Sequence, residues 1–493
     1  MIVGGTNQGG ILLAAADSWA AWLWDDADVA ASADVTFAVQ AGAWDPGDEP
    51  LIYGQCPSPP CLEETLASES WLGKFVGAPS VAQDGDDLWA MLYTQDTASP
   101  YTLRQCIWYS DDGGATWAKE DNAKYQLDDG DSNVALTVAD FPAYGGAVAT
   151  AFTTGWLMLN PRPDLSDPYG RTFLAVVPVQ YGEPVNGYRW VLLESDDLFD
   201  WAAQVIGDWP ADAQPSLVYD PAALLFRLFV RRTTQCPSVV VRAVAEMHSA
   251  DLVTWTAKSD AAVLYVPDHP GVPEVYSLPA SKIGSKHAAA VPMYYPDDTN
   301  NDVEENPGIW DDIIDLELAT SVDGITWSLP YLGQKLAEHG GGGWRNGMVL
   351  FNSGFYAYGD KWYVLTEARE EDHHTYVTNA RRTARLAWDA YRVVAASLTA
   401  EETPGSITLV TRSCFKRRLL LNYDPGATGT VTIQVTTTGD VELAAAANTV
   451  LTDSGDGKNF RVDWSPRFVF PNASVKIIVN ITGDATVYSL RTE

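Results

Sequence analysis

The chain has 493 residues, with 31 Lys and Arg against 65 Asp and Glu, a formal charge of −34 at pH 7. A surface this acidic repels phosphate backbones and excludes nucleic acid as a partner. Hydrophobic residues make up 46%, which places the chain among packed rather than disordered proteins, and its length fits two or three domains, or one large all-β domain with a smaller companion. Only 11 of the cations are Lys. Such a carboxylate-rich, Lys-poor composition suits concentrated salt, where screening removes the self-repulsion of the folded state.

In chain order, no Lys or Arg precedes Lys74, so the N-terminus lacks the positive region of a secretory signal. The segment Ile11 to Trp24 is rich in apolar residues but is interrupted by Asp17, and no apolar run is long enough to span a membrane. The five cysteines include Cys56 and Cys61 around Pro-Ser-Pro-Pro, a pair spaced for a local bridge, and there is no CxxC pattern for zinc.

From residue 70 onward a repeat appears. Ser110-Asp-Asp-Gly-Gly-Ala-Thr-Trp117, Ser195-Asp-Asp-Leu-Phe-Asp-Trp201, Ser249-Ala-Asp-Leu-Val-Thr-Trp255 and Ser321-Val-Asp-Gly-Ile-Thr-Trp327 share one pattern. The Asp carboxylate is placed to accept backbone N–H groups across a turn, Gly supplies a positive φ, and the Trp packs back between neighbouring sheets. These residues are read as structural. A second repeat opens on Pro79-Ser, Pro215-Ser and Phe355-Tyr, each starting a pair of strand-like runs about a short turn. Two hairpins closed by the Ser-x-Asp…Trp turn make a four-stranded unit, and such units repeated radially are propeller blades.

On these motifs the chain resembles two groups. The full-length copy Ser110–Trp117 resembles the Asp-boxes of sialidase-type propellers. The Ser-x-Asp-Leu form and the Pro-Ser openings resemble the five-bladed invertase/levansucrase and arabinanase glycoside hydrolases, over roughly residues 70 to 370. After Thr403 the texture changes. Ser406–Thr411, Leu419–Tyr423, Gly429–Val435, Phe460–Trp464, Ser474–Val479 and Ala485–Leu490 read as short strands between turns, the pattern of a β-sandwich. The expected fold is therefore all-β: a five-bladed β-propeller over residues 66–395, then a jelly-roll-like β-sandwich over 396–493. Residues 1–65 are read as an N-terminal extension or attachment segment, or as the piece that completes a blade. Arg381 to Tyr391 is read as a short helix or a linking strand.

The resemblance implies a funnel on the propeller axis, lined by polar residues at the starts of the innermost strands. A glycosidase needs two carboxylates flanking the scissile bond, and Asp140 with Glu274 is the candidate catalytic pair. Candidate sugar contacts are Arg345, Asp212, His373 and His374, with Trp71, Trp310 and Trp344 as stacking faces in loop-like surroundings. The family's catalytic signatures are missing: no Asn-Asp-Pro-Asn opens the first blade, and the third and fourth lack Arg-Asp-Pro and Glu-Cys. No cofactor is required. Asp298, Asn300, Asp302 and Glu304 alternate as in calcium loops, although the Gly of an EF-hand loop is absent and a solvated acidic loop is the alternative.

Two readings compete with a purely structural role. One is a glycan-recognising propeller on an extracellular or virion surface, reached without a classical signal peptide. The other is an active glycoside hydrolase. Expected partners are polysaccharide or glycoprotein glycan, without membrane insertion, and the segment Ile11–Trp24 is a candidate strip for homo-oligomer or virion assembly.

Overall fold

The computed structural model describes residues 29–31, 33–45, 52–53, 75–95, 103–120, 122–127, 130–162, 172–185, 187–207, 214–236, 239–257, 259, 262–266, 273–283, 286–295, 313–340, 347–359, 361–369, 382–389, 392–399, 403–411, 419–437, 449–451, 457–462 and 475–492. The protein is all-β. One 3-10 turn, Val138–Asp140, interrupts the strands among the described residues.

Five successive antiparallel units form the propeller. The first runs Phe75–Asp84, Asp87–Gln95 and Leu103–Ser110, with Ala118–Lys119 and Val134–Thr137 on its outer edge. The second contains Ala149–Phe152, Trp156–Leu159, Phe173–Tyr181, Gly187–Ser195 and Ala202–Gly207. The third is Ser216–Asp220, Leu225–Cys236 and Val239–Ser249, with a bridge from Val244 to Leu264. In the fourth, Glu274–Val275 and Ala280–Ile283 lead into Lys286–Tyr295, Ile313–Ser321 and Lys335–Ala337. The fifth has Met348–Asn352 and Tyr356–Tyr358, then Lys361–Arg369 and Arg382–Asp389. Its outer edge is supplied by the N-terminal strands Ala43–Asp45 and Ile52–Tyr53. The run after Arg381 is thus a strand, because its alternating Thr383, Arg385 and Ala387 pair with Lys361–Arg369.

The innermost strands are stitched to one another in a ring. Ser80 Oγ of the first unit accepts the N–H of Leu157 in the second (3.0 Å). Trp156 Nε1 donates to the carbonyl of Leu217 in the third (3.1 Å). Ser216 donates to the Leu278 carbonyl and accepts from Ala280 N in the fourth (3.3 Å). Ser281 Oγ accepts from Phe355 N in the fifth (2.8 Å). Gln83 Nε2 closes the circle onto the Ala357 carbonyl (2.6 Å). Two of these hydroxyls belong to the Pro79-Ser and Pro215-Ser openings. Each satisfies a backbone group that burial would otherwise leave unpaired, at a cost of roughly 1–3 kcal/mol.

The four repeated turns all join the third strand of a unit to its outer edge, and they share one set of bonds. In the third unit Ser249 Oγ donates to Asp251 Oδ1 (3.0 Å), which accepts from Val253 N and Thr254 N (2.9 and 2.7 Å), while Trp255 Nε1 donates to Leu252 O (3.0 Å). The second and fourth units repeat this pattern. The first copy spreads it over one extra residue. These backbone donors outweigh the burial penalty and hold the Asp112, Asp197, Asp251 and Asp323 carboxyls below their ordinary pKa. Each Trp packs where two units meet: Trp117 with residues of the fifth and first, Trp255 of the second and third, Trp327 of the third and fourth.

The position after the Asp differs from the sequence reading. It takes φ of 72° at Gly324 but also 70° and 62° at Leu198 and Leu252. Both leucines are buried, at 2% and 0% exposure, so apolar burial of roughly 2 kcal/mol each offsets a left-handed strain of about 1–2 kcal/mol.

Beyond the propeller, two five-stranded sheets pack face to face. One is ordered Val35–Val39, Val394–Leu398, Thr486–Thr492, Leu419–Asp424, Gly457–Val462, and the other Val29–Ala31, Gly405–Thr411, Val475–Thr482, Thr430–Thr437, Thr449–Leu451. Ile407, Leu409, Leu421, Tyr423, Val431, Ile433, Ile477, Val479 and Val487 fill the space between them. Their alternation along each strand is what a two-layer sandwich demands. The first described strands therefore serve both parts: Val29–Ala31 and Val35–Val39 extend the sandwich, and Ala43–Asp45 and Ile52–Tyr53 the fifth unit.

Candidate functional site

The place where the units converge is filled with aromatic rings and amides. One core cluster draws Met91 and Tyr93 from the first unit, Phe152 and Val177 from the second, Tyr276 and Tyr294 from the fourth, and Leu350 and Phe351 from the fifth. This cluster is shared by four of the five units. Tyr276 meets Phe351 edge-on at 5.6 Å and Tyr294 at 6.2 Å. Gln214, 3% exposed, opens the inner strand of the third unit and reaches across. Its Nε2 donates to the Pro79 carbonyl of the first unit (3.2 Å), and its Oε1 accepts from Asn352 N of the fifth (3.3 Å). Asn352 in turn donates to the Ala290 carbonyl (2.7 Å).

Beside this centre stands a charged rim. Glu274 begins the inner strand of the fourth unit, and its Oε2 accepts a hydrogen bond from Arg242 of the third. Their side chains are 13% and 29% exposed, so Arg242 is the more accessible partner. The Arg242 guanidinium lies over the Tyr294 ring at 4.4 Å, and Arg231 lies over Tyr276 at 4.1 Å. Burial penalises the Arg242 cation, but the Glu274 carboxylate outweighs it and pushes the guanidinium above its ordinary value. The result is a rigid fork of donors on an aromatic floor, suited to sugar hydroxyls or a carboxylate.

The other sequence-chosen carboxylate has a different task. Asp140 ends the 3-10 turn after the first unit, where its Oδ2 accepts from Thr137 N and Thr137 Oγ1 (2.7 and 3.0 Å) in a capping box. Asp140 and Glu274 thus stand on different units with different partners. Arg345, Asp212, His373, His374, Trp71, Trp310 and Trp344 lie outside the described residues, as do Asp298, Asn300, Asp302 and Glu304 of the calcium-like loop, the Cys56–Cys61 pair and the segment Ile11–Trp24. Among the described residues no group of three His, Cys, Asp or Glu side chains is placed to hold a metal ion, and no helix is long and apolar enough to cross a membrane.

Three further networks were not singled out from sequence. Glu367, fully buried, accepts from Arg369 Nε at 2.6 Å beside Gly77. Asp315 accepts from His339 at 2.8 Å, and Glu317 accepts from Lys335 Nζ at 2.7 Å and from Gly333 N at 2.8 Å. Arg227 joins Asp220 (3.3 Å) to Glu246 (2.8 Å) within the third unit. Their acidic members lie in strands, where a charge in the sequence looks like one more solvent-facing position. Only the even spacing of Asp315 and Glu317, or of Glu367 and Arg369, hints that each pair shares a face.

Fold and site together describe an acidic propeller–sandwich protein with a cationic, aromatic-floored rim beside buried amides that link the first, third and fifth units. No protein-family model matches the chain, and no curated protein matches it. Solved structures similar to it, at low identity, include several described as glycoside hydrolases. A glycosyl hydrolase from Bacteroides ovatus is 11% identical, covering 72% of this chain and 96% of its own, at a TM-score of 0.46. A structure from the GH130 family of mannoside phosphorylases, described as containing glycoside hydrolases that target beta-1,2 mannosidic linkages in Candida mannan, is 10% identical (71% and 96% covered, TM-score 0.42). A GH43_1 enzyme from Xanthomonas citri is 12% identical (63% and 87% covered, TM-score 0.39). Likeness of this grade leaves the activity to be argued from the residues.

Proposed function

We propose that the protein recognises glycan at the rim of its propeller and does not cleave it. The observation that carries this reading is the bridge made by Gln214 across the point where the units converge. A hydrolase needs two carboxylates facing a substrate space about 5–9 Å wide. Here, among the described residues, the converging strand starts present Gln214, Asn352 and hydroxyls already bonded to backbone. Glu274 is engaged by Arg242, and Asp140 by its own turn.

Recognition needs less: a few fixed donors and flat apolar faces. Arg242 over Tyr294 supplies both. The acidic exterior favours action in saline surroundings, on an extracellular or virion surface. The test is glycan binding in high salt, by surface plasmon resonance on immobilised polysaccharides, for wild type and Arg242→Gln. Binding that falls at least tenfold in the variant supports the rim as the site, and unchanged binding removes it.

A further inference from the structure

The outer edge of the fourth unit is held less by its ladder than by charge. Lys335–Ala337 pairs with Ile313–Ser321 at two positions, Leu316 with Ala337 and Glu317 with Lys335, with a register shift between them. Two carboxylates bracket this short strand. Glu317 Oε2 accepts from Gly333 N before it (2.8 Å), and Asp315 Oδ1 from His339 N after it (2.7 Å). The N-terminal crossover from sandwich to fifth unit is tied to the same segment: Val39 N donates to Gln334 Oε1 (2.7 Å) and Gly42 N to the Leu336 carbonyl (2.8 Å). We propose that Asp315, Glu317, Lys335 and His339 form a proton-operated latch, which holds this strand and its crossover when protonated and loosens both when the proton leaves.

The balance of charge requires a proton. Asp315 and Glu317 are 2% and 0% exposed. Facing them are one ammonium, with Lys335 Nζ 2.7 Å from Glu317 and 3.5 Å from Asp315, and one imidazole, with His339 Nδ1 2.8 Å from Asp315. Two buried carboxylates against one ammonium leave a net negative charge until the cluster takes up a proton, and an unbalanced buried charge is costly. The neighbouring groups do not supply the balance. Tyr295 of the adjacent strand donates its hydroxyl to Glu317, and its ring lies 3.9 Å from Lys335 Nζ. Glu338 adds a further negative charge. Met293 and Val291, the cross-strand partners of Asp315 and Glu317, pack with Val244, Leu264 and Val266 of the third unit. Among the described residues, no charged group of the third unit bears on Glu317 or Lys335.

The direction follows from the same contacts. Burial pushes Glu317 up from 4.5 to about 7, and the hydrogen bond to Asp315 raises His339 above 6.5. Groups raised in the closed latch favour closure at low pH and release it as pH climbs through those values. Lys335, lowered to about 8 by burial, acts in the opposite sense above that pH. The working window is therefore about pH 5 to 7.5.

The test is hydrogen–deuterium exchange of the full chain at pH 5.5 and 7.5, read by mass spectrometry and corrected for the intrinsic pH dependence of exchange. Peptides covering residues 331–340 and 35–42 should open roughly tenfold more at the higher pH, as linkage requires of a carboxyl shifted this far. The outer strand Ala202–Gly207 of the second unit is the control and should change little. Glu317→Gln keeps the shape but cannot ionise, so its step should shrink to less than about threefold, and His339→Gln should also reduce the step. His287 lies at the far end of the same strand pair and titrates with the opposite sign, so the step should persist in His287→Leu. A thermal melt confirms that each variant is folded, and the wild-type arm stands without them. Equal protection of wild type at both pH values overturns the proposal. So does a step undiminished in both latch variants, or one that appears equally in the control strand.

Discussion

His287 makes the protein acid-sensitive by an amount that the structure allows to be worked out. The residue is 2% exposed, and neither ring nitrogen has a hydrogen-bond partner among the described residues. It packs against Trp327 (6.3 Å between rings) and beneath Gly324, whose Cβ, if present, would stand 2.9 Å from the imidazole. The charged groups around it are Lys282, its register partner on the neighbouring strand, with Asp220 and Arg227 of the third unit and Asp323 of the adjoining turn. Desolvation, with Lys282 next, pushes its pKa from 6.5 down to about 3. Below pH 6.5 the unfolded chain takes up a proton that the folded chain refuses until about pH 3. The stability contribution is therefore present at neutral pH and lost as pH falls through that window. At 1.36 kcal/mol per pH unit, the loss between about pH 7 and pH 5 comes to about 2 kcal/mol.

Urea unfolding of wild type and His287→Leu at those two pH values isolates this group, since the carboxylates titrate alike in both proteins and cancel. The variant should lose about 2 kcal/mol less than wild type on acidification. At neutral pH it should be close to wild type in stability, because two unsatisfied nitrogens leave with the ring. Identical pH dependence in the two proteins would refute the reasoning.

Two other substitutions test the packing. Leu224 has φ of 55° and is 56% exposed, whereas Leu252 has φ of 62° and is fully buried. Leu224→Gly should stabilise by about 1 kcal/mol, and Leu252→Gly should destabilise by roughly 2–4 kcal/mol because the lost burial outweighs the relieved strain; thermal melts decide both signs. A Cβ at Gly77 would stand 2.3 Å from Glu367 Oε2, and that carboxylate is fully buried and held by Arg369. Gly77→Ala should therefore cost roughly 1–3 kcal/mol, while a melt unchanged from wild type would mean that Glu367 is free to move.

The propeller was legible because its turns repeat. Ser110–Trp117 and its three relatives need Asp and Trp at fixed offsets to satisfy one loop, so the requirement surfaces as a motif. The sandwich was legible from strand alternation after Thr403. What sequence hid was non-local. Nothing in Val35–Val39 announces a partner at Val394–Leu398, because pairing between distant strands is specified by burial and register and not by composition. Leucine at a positive φ was hidden for a related reason, since only its burial repays the strain. The site was the least legible part. Glu274 could be named as a strand-start carboxylate, but Arg242 lies inside an eleven-residue strand as one charge in an alternating run. Gln214 could be named as a polar residue at a strand start, but Asn352 was overlooked because a search for paired acids passes over neutral amides.

The central claim, recognition without cleavage, is tested most directly by measuring glycan binding and reducing-end release together. The measurement is made in high salt on wild type and Glu274→Gln. The account predicts no release by either protein, with binding by wild type and weaker binding by the variant, in which Arg242 has lost its anchoring charge. Release by wild type that disappears in Glu274→Gln while binding persists would contradict it, and would make Glu274 the centre of a glycosidase.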